Sequence, residues 1–230
     1  MKLLLLAVFL APSLQAQVLS IDFLNPKRDR VGDLEAAIKD TNSAAGRAGY
    51  DHAFTLWVSR SAEYMRIIEL PNWASVPAAT VYAAPNYKDH ASELMRADFR
   101  IREANESGRS VLLQVIPALS LRMPAEVPGL LKMLWIKVRP DKSADYEAAL
   151  LDLMPAVRKS RRLYTFGRVV FGDAQQYLLL EGLNDWSDLD KADPMQDELR
   201  AVRLKTDPMI IERRSDIYRY APELSYRPAK

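Results

Sequence analysis

Two glutamates and two histidines carry most of the chemistry this sequence could perform. Glu69 lies at the end of an alternating run with Met65 and Ile67, and Glu181 lies 112 positions on, behind Tyr177 and Leu179. Alternate residues of a strand share a face, so each glutamate is expected beside its apolar neighbours. If that face lined a space between two sheets, each half would present one carboxylate. Like charges in apolar surroundings raise one pKa and offer a general base. The plainer alternative leaves both at strand ends, exposed or paired with an arginine such as Arg66 or Arg168. His52 opens the aromatic, β-branched run His52–Val58, with Phe54 and Leu56 on its face and Trp57 on the other. His52, Trp57, Tyr82 and His90 are candidates to line a pocket for a small apolar or aromatic ligand. The competing reading makes His52 a packing residue of an aromatic strand.

Other chemistries leave no trace. Cysteine is absent, the two histidines each follow an aspartate (Asp51-His52, Asp89-His90), and neighbours along a strand point to opposite faces. No CxxC, HExxH or EF-hand loop is present, so neither a metal site nor a cofactor is expected. There is no GxSxG nucleophile motif, and the eight glycines are scattered. The balance of 32 basic against 30 acidic side chains argues against a dedicated nucleic-acid surface. The densest basic cluster, Arg158-Lys159-Ser160-Arg161-Arg162, falls at the end of a predicted helix, where cations complement the dipole.

The chain opens Met-Lys, runs apolar from Leu3 to Ala11, and continues Pro12-Ser-Leu-Gln-Ala16-Gln17. That order predicts a secretory signal peptide over residues 1–16 and a periplasmic or secreted destination. A span needs about 20 apolar residues, so this stretch is too short to be one. No disulfides are available, so an exported protein must rely on its core, and the 49% hydrophobic content supplies one.

The elements that must position these residues come twice. Leu34-Glu-Ala-Ala-Ile-Lys-Asp40 returns as Tyr146-Glu-Ala-Ala-Leu-Leu-Asp152, displaced by 112, with Phe54 matching Phe166. The closing Pro117-Ala-Leu-Ser-Leu-Arg122 returns as Pro222-Glu-Leu-Ser-Tyr-Arg227, displaced by 105. Each such tail is expected to cross onto the other half and anchor there through Leu119 or Leu224. The first half reads as strand 18–24, helix from Asp33, strands 52–58 and 64–70, an irregular excursion 77–85, helix 89–106 and strand 111–116. The second reads as strand 131–138, helix 144–158 with Pro155 kinking its last turn, strands 164–171 and 176–183, a helical region 186–214 and strand 216–220. Trp73 and Trp186 are expected to anchor packing after the third strand of each half.

The twofold βαββαβ order, with Glu69…Trp73 and Glu181…Trp186 after the third strands, resembles the dimeric α/β-barrel superfamily with its two subunits fused. At fold level it is similar to antibiotic-biosynthesis-type monooxygenase and NIPSNAP-type modules. The resemblance implies an α+β fold: two tandem ferredoxin-like modules, residues 17–122 and 130–230 across a linker 123–129, packed sheet to sheet as an intramolecular dimeric α/β barrel. It implies a pocket between sheet and helices in cofactor-free, monooxygenase-like members. Haem-binding relatives with fused modules carry their ligating histidine in the C-terminal copy, and this chain has none after His90, so haem is not expected. Three functions remain open: binding of a small apolar or aromatic ligand or a partner protein; a cofactor-independent monooxygenase- or isomerase-like enzyme working in the first module; or a non-catalytic envelope protein. A buried glutamate or His52 in a polar-tipped cavity favours the enzyme, a purely apolar cavity the binder, and filled barrels the scaffold. Within one chain the pseudo-dimer satisfies itself, and further oligomerisation stays open.

Overall fold

The computed structural model describes residues 18–121, 126–159, 164–171, 176–191 and 196–228. The expected leader, the core of the linker and the basic residues 161 and 162 lie outside them. The first half comprises β1 (Val18–Pro26), α1 (Val31–Arg47), β2 (Phe54–Ser59), β3 (Tyr64–Leu70), α2 (Tyr87–Ala104) and β4 (Asn105–Val115). The second comprises β5 (Leu130–Val138), α3 (Ser143–Leu151), α4 (Met154–Lys159), β6 (Tyr164–Phe171), β7 (Gln176–Leu183), α5 (Gln196–Thr206) and β8 (Ile210–Tyr220). No helix among the described residues is long and apolar enough to cross a membrane.

All eight strands are antiparallel and close into one barrel in the order β1-β3-β2-β8-β5-β7-β6-β4. The halves meet where β2 pairs with β8 (Trp57↔Tyr220) and β4 with β6 (Leu113↔Val169). Alternation sends Ile21, Phe23, Met65, Leu113, Met133 and Leu178 inward, each fully buried, so the barrel is a packed core and not a channel. At the β4–β6 seam the backbones approach so closely that a Cβ on Gly167 would lie 2.7 Å from the Gln114 carbonyl oxygen, and only glycine fits there. The opposite strand faces carry the helices. Leu34, Ile38 and Leu94 pack over the first half, and Tyr146, Met154, Val157 and Val202 over the second.

Several elements depart from the sequence expectation. The predicted helix 144–158 stops at Leu151 and restarts at Met154, which puts Pro155 in the first turn of α4, where its missing N–H costs nothing. The helical region expected up to Arg214 ends at Thr206, because Pro208 opens a 3-10 turn and the chain extends into β8 from Ile210. Strand β2 begins at Phe54, leaving His52 before it. Trp73 and Trp186 are not packing anchors: each begins a 3-10 turn capped by Asn72 or Asp185, and they stand 37% and 48% exposed.

The closing tails do cross. Leu119 is buried among Ile136, Tyr146 and Phe166 of the second half, and Leu224 among Leu34, Leu56 and Tyr64 of the first. Ser120 Oγ accepts from the Phe166 amide at 2.9 Å, and Ser225 Oγ from the Leu56 amide at the same distance. Backbone pairs Leu121–Tyr164 and Tyr226–Phe54 complete both junctions.

Candidate functional site

The outer face of β5, β6 and β7 and the helices α3, α4 and α5 enclose a cavity of about 340 Å³. Its floor is the outward set of those strands: Leu134 and Ile136 from β5, Phe166 from β6, Leu179 from β7. Leu150, Leu153, Met154, Val157, Leu199 and Val202 line the helical side, and Leu119 arrives from the first half's tail. Antiparallel register places Tyr164, Glu181 and Lys132 side by side across three strands, so the polar groups gather at one end. Glu181 is only 9% exposed, and among the described residues it is the buried carboxylate. The Lys132 ammonium lies 4.0 Å from Glu181 Oε2 and reaches solvent on its other side. The Tyr164 hydroxyl donates to Met154 Sδ at 3.4 Å. Arg203, Arg213 and Ser215 complete the rim. The result is an apolar chamber tipped by one carboxylate with a cation beside it, suited to a ligand with an aromatic body and one proton-donating group.

The aromatic wall is braced from behind. Phe166 stacks on Tyr177 with centroids 5.4 Å apart, and Tyr177 meets Tyr146 at 5.3 Å. The Tyr177 hydroxyl donates to Glu147 at 2.7 Å, and Arg168 closes an ion pair on the same carboxylate. Burial pushes the Tyr146 hydroxyl well above the usual phenol range, so it is a neutral hydroxyl at working pH.

The first half has a matching hollow of about 350 Å³ between its sheet and α1 and α2, but with a different floor. Arg66 donates twice to Asp22 Oδ2, at 2.7 and 3.0 Å, and its guanidinium carbon lies 5.5 Å from the Phe54 ring centroid. Ser110 donates to the other Asp22 oxygen. The corresponding positions in the second half are Leu134, Leu179 and Ser215, so an ion pair occupies one floor where the other is aliphatic.

The candidates read from the sequence lie apart. Glu69 is exposed on the barrel-facing side of β3, whereas Glu181 faces the helices, so the two carboxylates look out from opposite faces of the wall. His52 Nε2 lies 3.6 Å from Asp51 Oδ1 and its ring is edge-on to Tyr50. Trp57 points into the barrel, its Nε1 donating to Thr55 Oγ1 at 2.9 Å. Tyr82 is exposed against Tyr87, and His90 in α2 lies 4.0 Å from Glu93. The structure does not gather these four around one cavity. Lys132, Tyr164 and the helical wall are brought to Glu181 by strand register and by α5, and only the alternation around Glu181 was visible beforehand.

No family model matches the sequence, and no curated protein matches it either. Solved structures do match over almost the whole chain. A candidate monooxygenase from Lactobacillus acidophilus is similar at 10% identity with a TM-score of 0.64, covering 92% of this chain and 96% of that one. An anthrone oxidase-like protein matches at 13% identity and a TM-score of 0.60, covering 90% and 92%. A variant chlorite dismutase from Candidatus Nitrospira defluvii matches at 10% identity and 0.57, again covering 90% and 92%. The fold is of the dimeric α/β-barrel type. At such identities the likeness extends to the fold alone.

Among the residues lining the cavity there is no histidine: His52 and His90 both lie in the first half.

Proposed function

We propose that this chain is two fused ferredoxin-like modules whose second half binds a small aromatic or apolar molecule bearing one acidic hydroxyl or C–H. Glu181 is the proton acceptor, and the Lys132 ammonium offsets the negative charge that develops on the ligand. The observation that carries this reading is a carboxylate 9% exposed at the tip of an otherwise aliphatic and aromatic cavity. The solved structures of monooxygenase and anthrone oxidase-like type support a small-molecule role for barrels of this shape, with the site here in the second half. Export through the N-terminal leader belongs to the same proposal, and N-terminal sequencing of protein recovered outside the cytoplasm tests it.

The binding test uses 1-naphthol, whose absorption responds to hydrogen bonding at its hydroxyl. The wild-type chain is expected to bind it saturably and to shift its spectrum as the hydroxyl donates to the Glu181 carboxylate. Glu181→Gln should weaken binding about tenfold and reduce the spectral shift, since a neutral amide oxygen is a weaker acceptor than a carboxylate. Val202→Trp should fill the chamber and prevent binding. Unchanged binding in Val202→Trp would remove the cavity from the argument, and an unchanged spectral shift in Glu181→Gln would remove the carboxylate.

A further inference from the structure

A second constellation lies at one end of the barrel, away from that cavity. Arg109 on β4 and Arg214 on β8 are displaced by 105, as the closing tails are. Each faces an inward aromatic across the ladder, Phe23 on β1 and Trp135 on β5, and those two rings lie 5.7 Å apart. The Arg109 guanidinium carbon is 4.3 Å from the Phe23 centroid and 4.6 Å from that of Trp135, while Arg214 is 5.3 Å from Trp135. Two cations thus share one indole. Partial burial and the charge of Arg214 both lower the proton affinity of Arg109. Among the described residues neither arginine is in an ion pair. Glu63, which acts on Arg109 from a distance, accepts instead from the Tyr218 hydroxyl at 3.0 Å, and Asp216 also acts only at longer range.

Trp135 supplies an independent observation. It is 5% exposed, and its buried Nε1 has no hydrogen-bond acceptor. A buried donor without an acceptor is costly and rare. Trp135 lines a hollow of about 180 Å³ together with Arg109, Arg214, Lys137, Gln176 and Glu212. Among the described residues that line it, Arg109, Arg214 and Lys137 are cationic and Glu212 is anionic. Guanidinium forks match the paired oxygens of carboxylates and phosphates, and the hollow is smaller than the pockets that hold drug-sized ligands.

We propose that this barrel end is a binding site for a small oxyanion, a carboxylate or a phosphate, held between Arg109 and Arg214 beside Trp135. The anion relieves the repulsion between the two guanidinium groups, and the buried indole N–H, which lacks an acceptor, is a further donor at the ring edge. The site is independent of the Glu181 cavity, so either can fail without the other.

Isothermal titration of the full chain at low ionic strength, with inorganic phosphate in one arm and malonate in the other, tests it. At least one anion should saturate at millimolar concentration or below and lose affinity with added salt. Arg109→Gln and Arg214→Gln should each weaken it about tenfold. Arg109→Lys, which keeps the charge and loses the fork, should fall between. Arg219→Gln, on the outer side of β8, should bind as wild type. Saturation by phosphate alone, by malonate alone or by both identifies the oxyanion. Absence of saturation in both arms, or equal affinity in wild type and both glutamine variants, overturns the proposal.

Discussion

Leu119→Ala should destabilise the half of the protein to which Leu119 does not belong. Its side chain is 2% exposed and sits in the second half's core, although its sequence belongs to the first. Buried Leu→Ala substitutions cost about 2–5 kcal/mol, more where the space cannot relax. Leu119 borders the 340 Å³ cavity, so part of its surface already lacks protein neighbours and the loss should fall near 2–3 kcal/mol. Leu224 is fully buried and does not line the matching hollow, so Leu224→Ala should cost nearer 3–5 kcal/mol. Urea denaturation gives both magnitudes, and hydrogen exchange read by mass spectrometry gives their location. Leu119→Ala should accelerate exchange in α4 and β6 and leave α1 and β3 protected; Leu224→Ala should do the reverse. If exchange in Leu119→Ala rises only within residues 18–115, or if Leu119→Ala costs as much as Leu224→Ala, the crossed-tail account fails.

Alkaline pH offers a second test. Burial raises the Tyr50 hydroxyl to about 12 in the fold, against about 10 when unfolded. The native state then holds a proton the unfolded chain has lost, so this contribution is intact below pH 10 and disappears as pH rises toward 12, on the order of 2 to 3 kcal/mol. Urea midpoints measured from pH 9 to 12 should fall less steeply in Tyr50→Phe. A third test converts one floor into the other: the double variant Asp22→Leu, Arg66→Leu should be within about 1 kcal/mol of wild type, because replacing both members of an ion pair by aliphatic side chains is often neutral. Asp22→Leu alone should cost about 1–2 kcal/mol by stranding the partly exposed Arg66, and thermal denaturation of the three chains decides it.

Element order, the crossing tails and the barrel were legible because they rest on alternation and on residues that recur: Leu119 with Leu224, and Ser120 with Ser225. The candidate site was not, and the reason is register. The displacement of 112 holds between β1 and β5, where Phe23 and Trp135 both face the barrel. It becomes 113 between β3 and β7: Met65 opposes Phe23 as Leu178 opposes Trp135, and Tyr64 and Tyr177 each donate to the matching Glu35 and Glu147 at 2.7 Å. One residue of slip exchanges the faces of a strand. Glu69 therefore corresponds to Gly182, and Glu181 to Ile68, so the carboxylates that match in sequence do not match in space. Their identity suggested a symmetric pair, whereas the cavity that Glu181 tips lies where the halves differ. An Asp22–Arg66 pair makes one floor ionic, Leu134 and Leu179 make the other aliphatic, and a glutamate replaces isoleucine at its edge. Residues that recur in both halves, such as Leu119 with Leu224 and Ser120 with Ser225, hold the barrel together. The Glu181 cavity we propose as a ligand site is built from positions where the halves differ, whereas the proposed oxyanion site uses Arg109 and Arg214, which recur in both; each becomes visible only once the ladders fix which residues share a face.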